Sequence, residues 1–302
     1  MKRFVALCAL VALVGCGGES GQPPETAVSD TQPAPVEMAT PPRDLAAILD
    51  SMPDEVKARY QYRRPQQTLE FFGIEPGMTV VEALPGGGWY SKLLLPYLGE
   101  RGLLIGADYP YDMFAMFPNM TEERLAGKRT WVADWTANAE GWRQEGDASV
   151  AAFQMAALPE SMVGTADAVL FVRALHNLAR YEERGGFLTA SINDMYRALK
   201  PGGIVGIVQH HAREDMPDEW AGGNAGYLKE RFVIEQMEAG GFEFVESSDL
   251  NANEKDQPTV EDVVWRLPPS LSGGADDPEL AARMREIGES NRMTLKFRKP
   301  AS

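Results

Sequence analysis

The sequence predicts an α/β fold: a mainly parallel sheet of seven strands, its last strand antiparallel, with helices on both faces. Three observations carry this. From residue 78 onward, short runs rich in Val, Ile and Leu alternate with stretches of helical spacing, as strands joined by crossover helices do. Met78–Val81 runs through an acid into the turn Pro85-Gly86-Gly87-Gly88 and then a helical segment, a strand–turn–helix unit. Arg292–Arg298 sets Met293, Leu295 and Phe297 on one face of a closing strand, hairpinned back onto the sheet.

The chain has 302 residues, 44% of them hydrophobic, enough to bury the core of one large α/β domain. Its 29 Lys and Arg against 44 Asp and Glu give a net charge of −15. A phosphate backbone needs a basic face, so no nucleic-acid partner is expected. The two cysteines, Cys8 and Cys16, both precede the folded region. That region therefore has neither a disulfide, nor a thiolate metal site, nor a cysteine nucleophile.

At the N-terminus, Lys2-Arg3 is followed by the apolar run Phe4–Val14, which is too short to span a bilayer. Residues 1–15 read as a signal peptide. Leu13-Val14-Gly15-Cys16 resembles the lipobox of bacterial lipoproteins. That resemblance implies cleavage before Cys16 and its lipidation, each buried acyl methylene adding roughly 0.8 kcal/mol of membrane affinity. Gly17, in place of a retention aspartate, favours the outer membrane, with the domain facing the periplasm. Residues 16–42 are rich in Gly, Ser, Thr, Pro, Gln and Ala, and read as a disordered tether. The folded domain is expected over residues 43–302.

Within it, Leu45, Ile48, Leu49 and Met52 have helical spacing, Pro53-Asp54-Glu55 opens a second helix, and Pro65 opens a third that Gly73 stops. Strands are expected at Met78–Val81, Leu103–Asp108, Val150–Phe153, Ala166–Val172, Ile204–Val208 and Gly240–Glu246, before the closing one. Leu199-Lys200-Pro201-Gly202-Gly203 reads as the turn into the fifth. Residues 109–149 read as irregular, with Trp131, Trp135 and Trp142 packing a surface helix onto the body. Residues 249–290 form a polar insertion, with a helix near 278–288.

Open α/β sheets bind ligands beyond the carboxyl ends of their strands, so residues there are the candidates. Glu82, Pro85, Gly86, Gly87 and Gly88 follow the first strand, where missing β-carbons let a ligand meet bare backbone at a helix N-terminus. This layout serves dinucleotides or S-adenosylmethionine (SAM). Glu82 favours SAM: it can accept hydrogen bonds from an ammonium and would repel a pyrophosphate. Asp108, closing the second strand, is placed to bond ribose hydroxyls, and suits a plain turn as well. Met155 offers an apolar adenine contact, with Gln154 as a polar reader. His176 and Asn177 follow the fourth strand, and His210 and His211 the fifth. Histidine exchanges a proton near neutral pH, so His176 is the candidate base, with Asn177 or His210 orienting an acceptor. A helix-capping or solvated pair is the alternative. No metal site is expected.

On these residues the sequence resembles class I SAM-dependent methyltransferases, and more narrowly a group of exported bacterial proteins predicted to be methyltransferases. The matching pieces are Leu69-Glu70-Phe71-Phe72-Gly73, Pro76-Gly77-Met78, Glu82 through Tyr90, Leu199 through Gly203, and Leu295 through Pro300. The likeness covers residues 44–300. It implies a Rossmann-like methyltransferase fold, SAM as cofactor, and methyl transfer to an acceptor it does not name. Leu84 stands where the family's first glycine is expected, and Met155 where many members carry an adenine-reading acid. SAM is made in the cytosol, whereas this chain is expected to be exported. A non-catalytic ligand-binding lipoprotein on the same fold therefore stays open beside the enzyme.

Overall fold

Alternation along the strands sets the layers. The computed structural model describes residues 43–301. The expected signal peptide, Cys16 and the tether lie outside the described residues. Along β1 (Thr79–Ala83), Val80 and Val81 project to opposite faces, and β2 (Leu103–Asp108) repeats this with Leu104 and Ile105. In β4 (Ala166–Val172), Ala168 and Leu170 join one face, Val169 and Phe171 the other. Both faces are thus apolar, which is what a sheet covered on both sides requires. One core packs these side chains beneath helices 45–51, 65–72, 91–98 and 131–142. The other packs them beneath helices 175–180, 187–198 and 230–239.

The remaining strands are β3 (Ser149–Gln154), β5 (Leu199–Ala212), β6 (Leu228–Lys229), β7 (Glu243–Ser248) and β8 (Arg292–Arg298). The sheet runs β3-β2-β1-β4-β5-β8-β7, with β6 on the end of β5. Only β8 is reversed: it pairs antiparallel with both β5 and β7. Among the described residues there are eight strands, one more than the sequence predicts. The extra one, β6, is a two-residue pairing of Leu228 and Lys229 with His211 and Ala212, too short for any periodicity to reveal. Lys200–Gly203 belongs to β5, as a bulge between the pairs Ala166–Leu199 and Ala168–Ile204.

Residues 109–149 are largely helical, not irregular: helices 111–114, 122–129 and 131–142 fill them. Trp135 covers β2 at Gly106, where an added β-carbon would lie 2.8 Å from the indole. Gly206 of β5 has the same relation to Phe72, at 2.5 Å. Gly206→Ala should therefore force Phe72 out of its rotamer and cost about 1–3 kcal/mol in urea unfolding. An unchanged midpoint would mean that helix 65–72 is not seated on β5 as described.

Candidate functional site

The strand order changes direction between β1 and β4, and the chain leaves these neighbours toward opposite sides of the sheet. A crevice opens beyond their carboxyl ends, where such sheets hold ligands. Here it is a cleft of about 500 Å³. Leu84, Pro85, Gly86 and Gly87 form one wall, and Arg173, His176 and Asn177 a second. His210 lies on the floor, and Trp265 with Leu267–Ser270 closes it from the polar insertion.

The turn after β1 keeps a glycine-like backbone although it starts with leucine. Leu84 has φ 55° and Gly86 φ 56°, both left-handed. Nothing lies within 4 Å of a β-carbon built at Gly87. Bare backbone therefore faces open space at this turn. Gly88 has a different reason: its β-carbon would sit 2.5 Å from the Trp142 indole. It is a packing glycine, not a ligand-facing one.

Three other expected cofactor residues are not on the cleft. Glu82 is 4% exposed and accepts a hydrogen bond from Ser91 Oγ at 2.6 Å. Burial pushes its pKa up to about 7, against the lowering effect of Ser91. It lies beneath the turn and supports it. Asp108 is 1% exposed, and both its oxygens are taken: Oδ1 by the Tyr109 amide at 2.9 Å, Oδ2 by Lys128 Nζ at 2.8 Å. Burial raises its pKa, partly offset by Lys128. Gln154 donates to the Lys128 carbonyl at 2.9 Å, so both ends of that lysine are fixed over the ends of β2 and β3. Met155 is core, packed with Phe153 and Leu158. The sequence placed these side chains correctly at strand ends. Helix 122–129, which it did not reveal, covers Asp108.

His176, Asn177 and His210 do come together. The two imidazoles are 5.4 Å apart between ring centres. Burial holds the His176 pKa down at about 4, despite Gln209, and that of His210 well below the usual histidine range. Both are neutral near pH 7. The Gly226 carbonyl requires a donor and takes Gln209 Nε2 at 3.1 Å. The same NH₂ group faces His176 Nδ1 at 3.4 Å. His176 Nδ1 is thus the acceptor, and its remaining nitrogen carries the hydrogen. In this state His176 is a hydrogen-bond donor and not a base. His210 Nδ1 shares a 2.6 Å hydrogen bond with Ser290 Oγ. His211 pairs with β6, away from this group.

The strongest feature of the cleft is one the sequence reading missed. Arg59, Arg63, Arg173, Arg292 and Lys92 line it, and no Asp or Glu does, among the described residues. Behind the wall, Glu289 receives Arg59, Arg63 and Arg292. Arg63 also stacks on Trp89, 4.4 Å from the ring centre. The rule that selected His176, position past a strand end, applies equally to Arg173, which directly follows β4. The other arginines come from distant segments and gave no local signal.

No family model matches the chain, and no curated protein matches it. Solved structures resemble it at low identity, with TM-scores below 0.5. One is the [4+2]-cyclase SpnF (18% identity, 80% of this chain and 81% of that one, TM-score 0.49). Another is a SAM-dependent methyltransferase from Aquifex aeolicus (18%, 69% and 93%, TM-score 0.43). A third is CrArsM, an arsenic(III) S-adenosylmethionine methyltransferase from Chlamydomonas reinhardtii (16%, 86% and 74%, TM-score 0.43). The mainly parallel sheet with its single reversed strand is the one expected from the sequence for a Rossmann-like methyltransferase fold.

The buried acid beneath the turn gives a testable pH dependence. The folded protein keeps the Glu82 proton up to about pH 7, while the unfolded chain releases it near the ordinary value of 4.5. Stability from this group is therefore greatest below about pH 4.5 and falls until about pH 7. Glu82→Gln should remove that fall, worth about 3 kcal/mol, when urea unfolding at pH 5 and pH 8 is compared with wild type. An identical pH dependence in the variant would rule Glu82 out as the titrating acid.

Proposed function

We propose that this chain is a SAM-dependent methyltransferase, exported and anchored through a lipid on Cys16 to the outer membrane, with its domain in the periplasm. The observation that carries the reading is the open Gly86–Gly87 backbone on the same cleft as Arg173, His176, Asn177 and His210. Cofactor turn and polar acceptor wall thus face each other at the switch point of the sheet.

The residues fit SAM at its amino-acid end, where Pro85, Gly86 and Gly87 would hold it. The ribose end is closed in this conformation, and Asp108 would serve it only with Lys128 displaced. SAM supplies an electrophilic methyl group when bound. The chain's own part is to orient the acceptor and to exclude water, which Trp265 and the Leu267–Ser270 segment do from above. Neutral His176 and Asn177 orient by hydrogen bonding rather than by taking a proton.

The engagement of both Asp108 oxygens favours one second reading, a non-catalytic lipoprotein that binds another small ligand in this cleft.

Calorimetric titration of SAM and S-adenosylhomocysteine into the full chain separates the two. We expect micromolar binding, weakened at least tenfold by Gly87→Leu with an unchanged melting temperature, because the new side chain fills space that is open in the fold. No heat at millimolar ligand would sink the methyltransferase and leave the binder.

A further inference from the structure

Charge and hydrogen-bond bookkeeping in the cleft point to a ligand of a definite chemical class. Four guanidiniums, those of Arg59, Arg63, Arg173 and Arg292, stand around one carboxylate, Glu289, and Lys92 adds a fifth cation to the lining. Glu289 is saturated by three of them. The Arg173 guanidinium has no hydrogen-bond or ion-pair partner among the described residues, although it belongs to the cleft arginine on the strand-end wall; only its backbone amide is engaged, by the Val208 carbonyl. Its backbone is held at φ 58°, a conformation that arginine adopts only when its surroundings impose it. Burial above all, then the like charges of Arg63 and Arg292, hold its pKa down at about 9, against a smaller opposing pull from Glu289. An arginine kept beside like charges without an acid of its own is short of an anion.

Two neutral donors belong to residues that line the same cleft. Trp89 Nε1 is buried and unpartnered. His176 carries its hydrogen on the nitrogen not facing Gln209. A cavity of about 500 Å³ suits a small molecule, and its Trp89, Trp265 and Pro268–Pro269 walls suit an apolar body behind a charged head. The chain as a whole carries −15, so this acid-free lining is a local reversal of charge.

We propose that the cleft binds the oxyanion group, carboxylate or phosphate, of a small molecule at Arg173, with His176 and Trp89 as additional donors, and that this molecule is the methyl acceptor. The acceptor role rests on the methyltransferase reading; the anion site does not. Methylation of that oxyanion would form an O–CH3 bond as the donor's S–CH3 bond breaks, releasing S-adenosylhomocysteine with no proton to remove, in keeping with two neutral histidines.

The test titrates inorganic phosphate, pyrophosphate and citrate into the full chain at low and at high salt, following heat and tryptophan fluorescence. At least one probe should bind at sub-millimolar concentration and weaken as salt rises. Arg173→Gln should weaken it at least tenfold, the loss expected when a charged hydrogen bond to an oxyanion is removed. Arg173→Lys should recover most of that loss, and Trp89→Phe should weaken binding severalfold. Tighter citrate than phosphate assigns a carboxylate head, and the reverse order a phosphate. If the folded wild type binds none of the probes at millimolar concentration, or Arg173→Gln binds as wild type does, the proposal is overturned. S-adenosylhomocysteine is titrated into the same preparations. Anion binding without any S-adenosylhomocysteine binding would overturn the acceptor role and leave the anion site standing.

Discussion

One buried carboxylate organises the cleft. Glu289 is 1% exposed and receives guanidinium donors from Arg59, Arg63 and Arg292. Burial alone would raise its pKa; Arg292, Arg63 and Arg59 overcome that and hold it down at about 2. Removing such a carboxylate leaves three cations facing one another with no counterion, a cost of roughly 3–5 kcal/mol for buried ion pairs. The ties around it reach three parts of the chain: the first helices, β8, and the polar insertion, whose Asn253 donates to the Glu289 carbonyl at 2.6 Å. The insertion is held again at Asp256, which takes Tyr227 Oη at 2.9 Å, Arg266 Nη2 at 2.8 Å and the Asn291 amide at 2.9 Å. The wall that covers the cleft is therefore fixed by ionic and polar ties together with the small apolar cluster of Val264 and Trp265 on Tyr227, Ala212, Ala221 and Ala225.

Around this anchor, the strand ends carry the local strain. Leu84 after β1, Ala156 after β3 and Arg173 after β4 all adopt left-handed backbone without being glycine. Each such residue costs of order 1 kcal/mol and persists only where packing dictates it. Two of the three, Leu84 and Arg173, line the cleft. At Leu84 the leucine holds the left-handed backbone that a glycine would adopt freely.

The sheet was legible in the sequence because its strands are buried on both faces and read as apolar runs between turn residues. Leu103–Asp108, Ala166–Val172 and Arg292–Arg298 were recovered to the residue. Of the helices of 109–149, the one packed by Trp131, Trp135 and Trp142 was expected and is helix 131–142, but helix 122–129 was not, because Leu125 and Ala126 are its only apolar side chains and it buries no residue. That gap in the fold produced the errors at the site. Lys128 sits in the unread segment, and without it Asp108 looked free to meet a ribose. Trp142 likewise explains Gly88 through a contact across the fold that no local pattern contains. The histidines could be placed because strand-end position is a topological property. The arginine cluster could not, because Arg59, Arg63 and Arg292 meet only through Glu289.

The charge of the cleft bears on how donor and acceptor could share it. SAM carries a net positive charge near neutral pH, from its sulfonium and ammonium against one carboxylate. Two like charges at 4 Å repel by about 4 kcal/mol at an effective dielectric constant of 20. A cleft lined by Arg59, Arg63, Arg173, Arg292 and Lys92 thus favours an anion, and takes cationic SAM less readily than S-adenosylhomocysteine, which has no net charge. With an anion at Arg173 the balance reverses, since the same Coulomb energy then draws a cationic donor toward the Gly86–Gly87 turn. The burial of Glu82, pushed up to about pKa 7, acts in the same direction, because the acid beneath that turn supplies only part of the negative charge the sequence led one to expect there. On the proposed reading, the counter-charge for the donor comes from the acceptor, and the protein supplies the cations that bring the acceptor in.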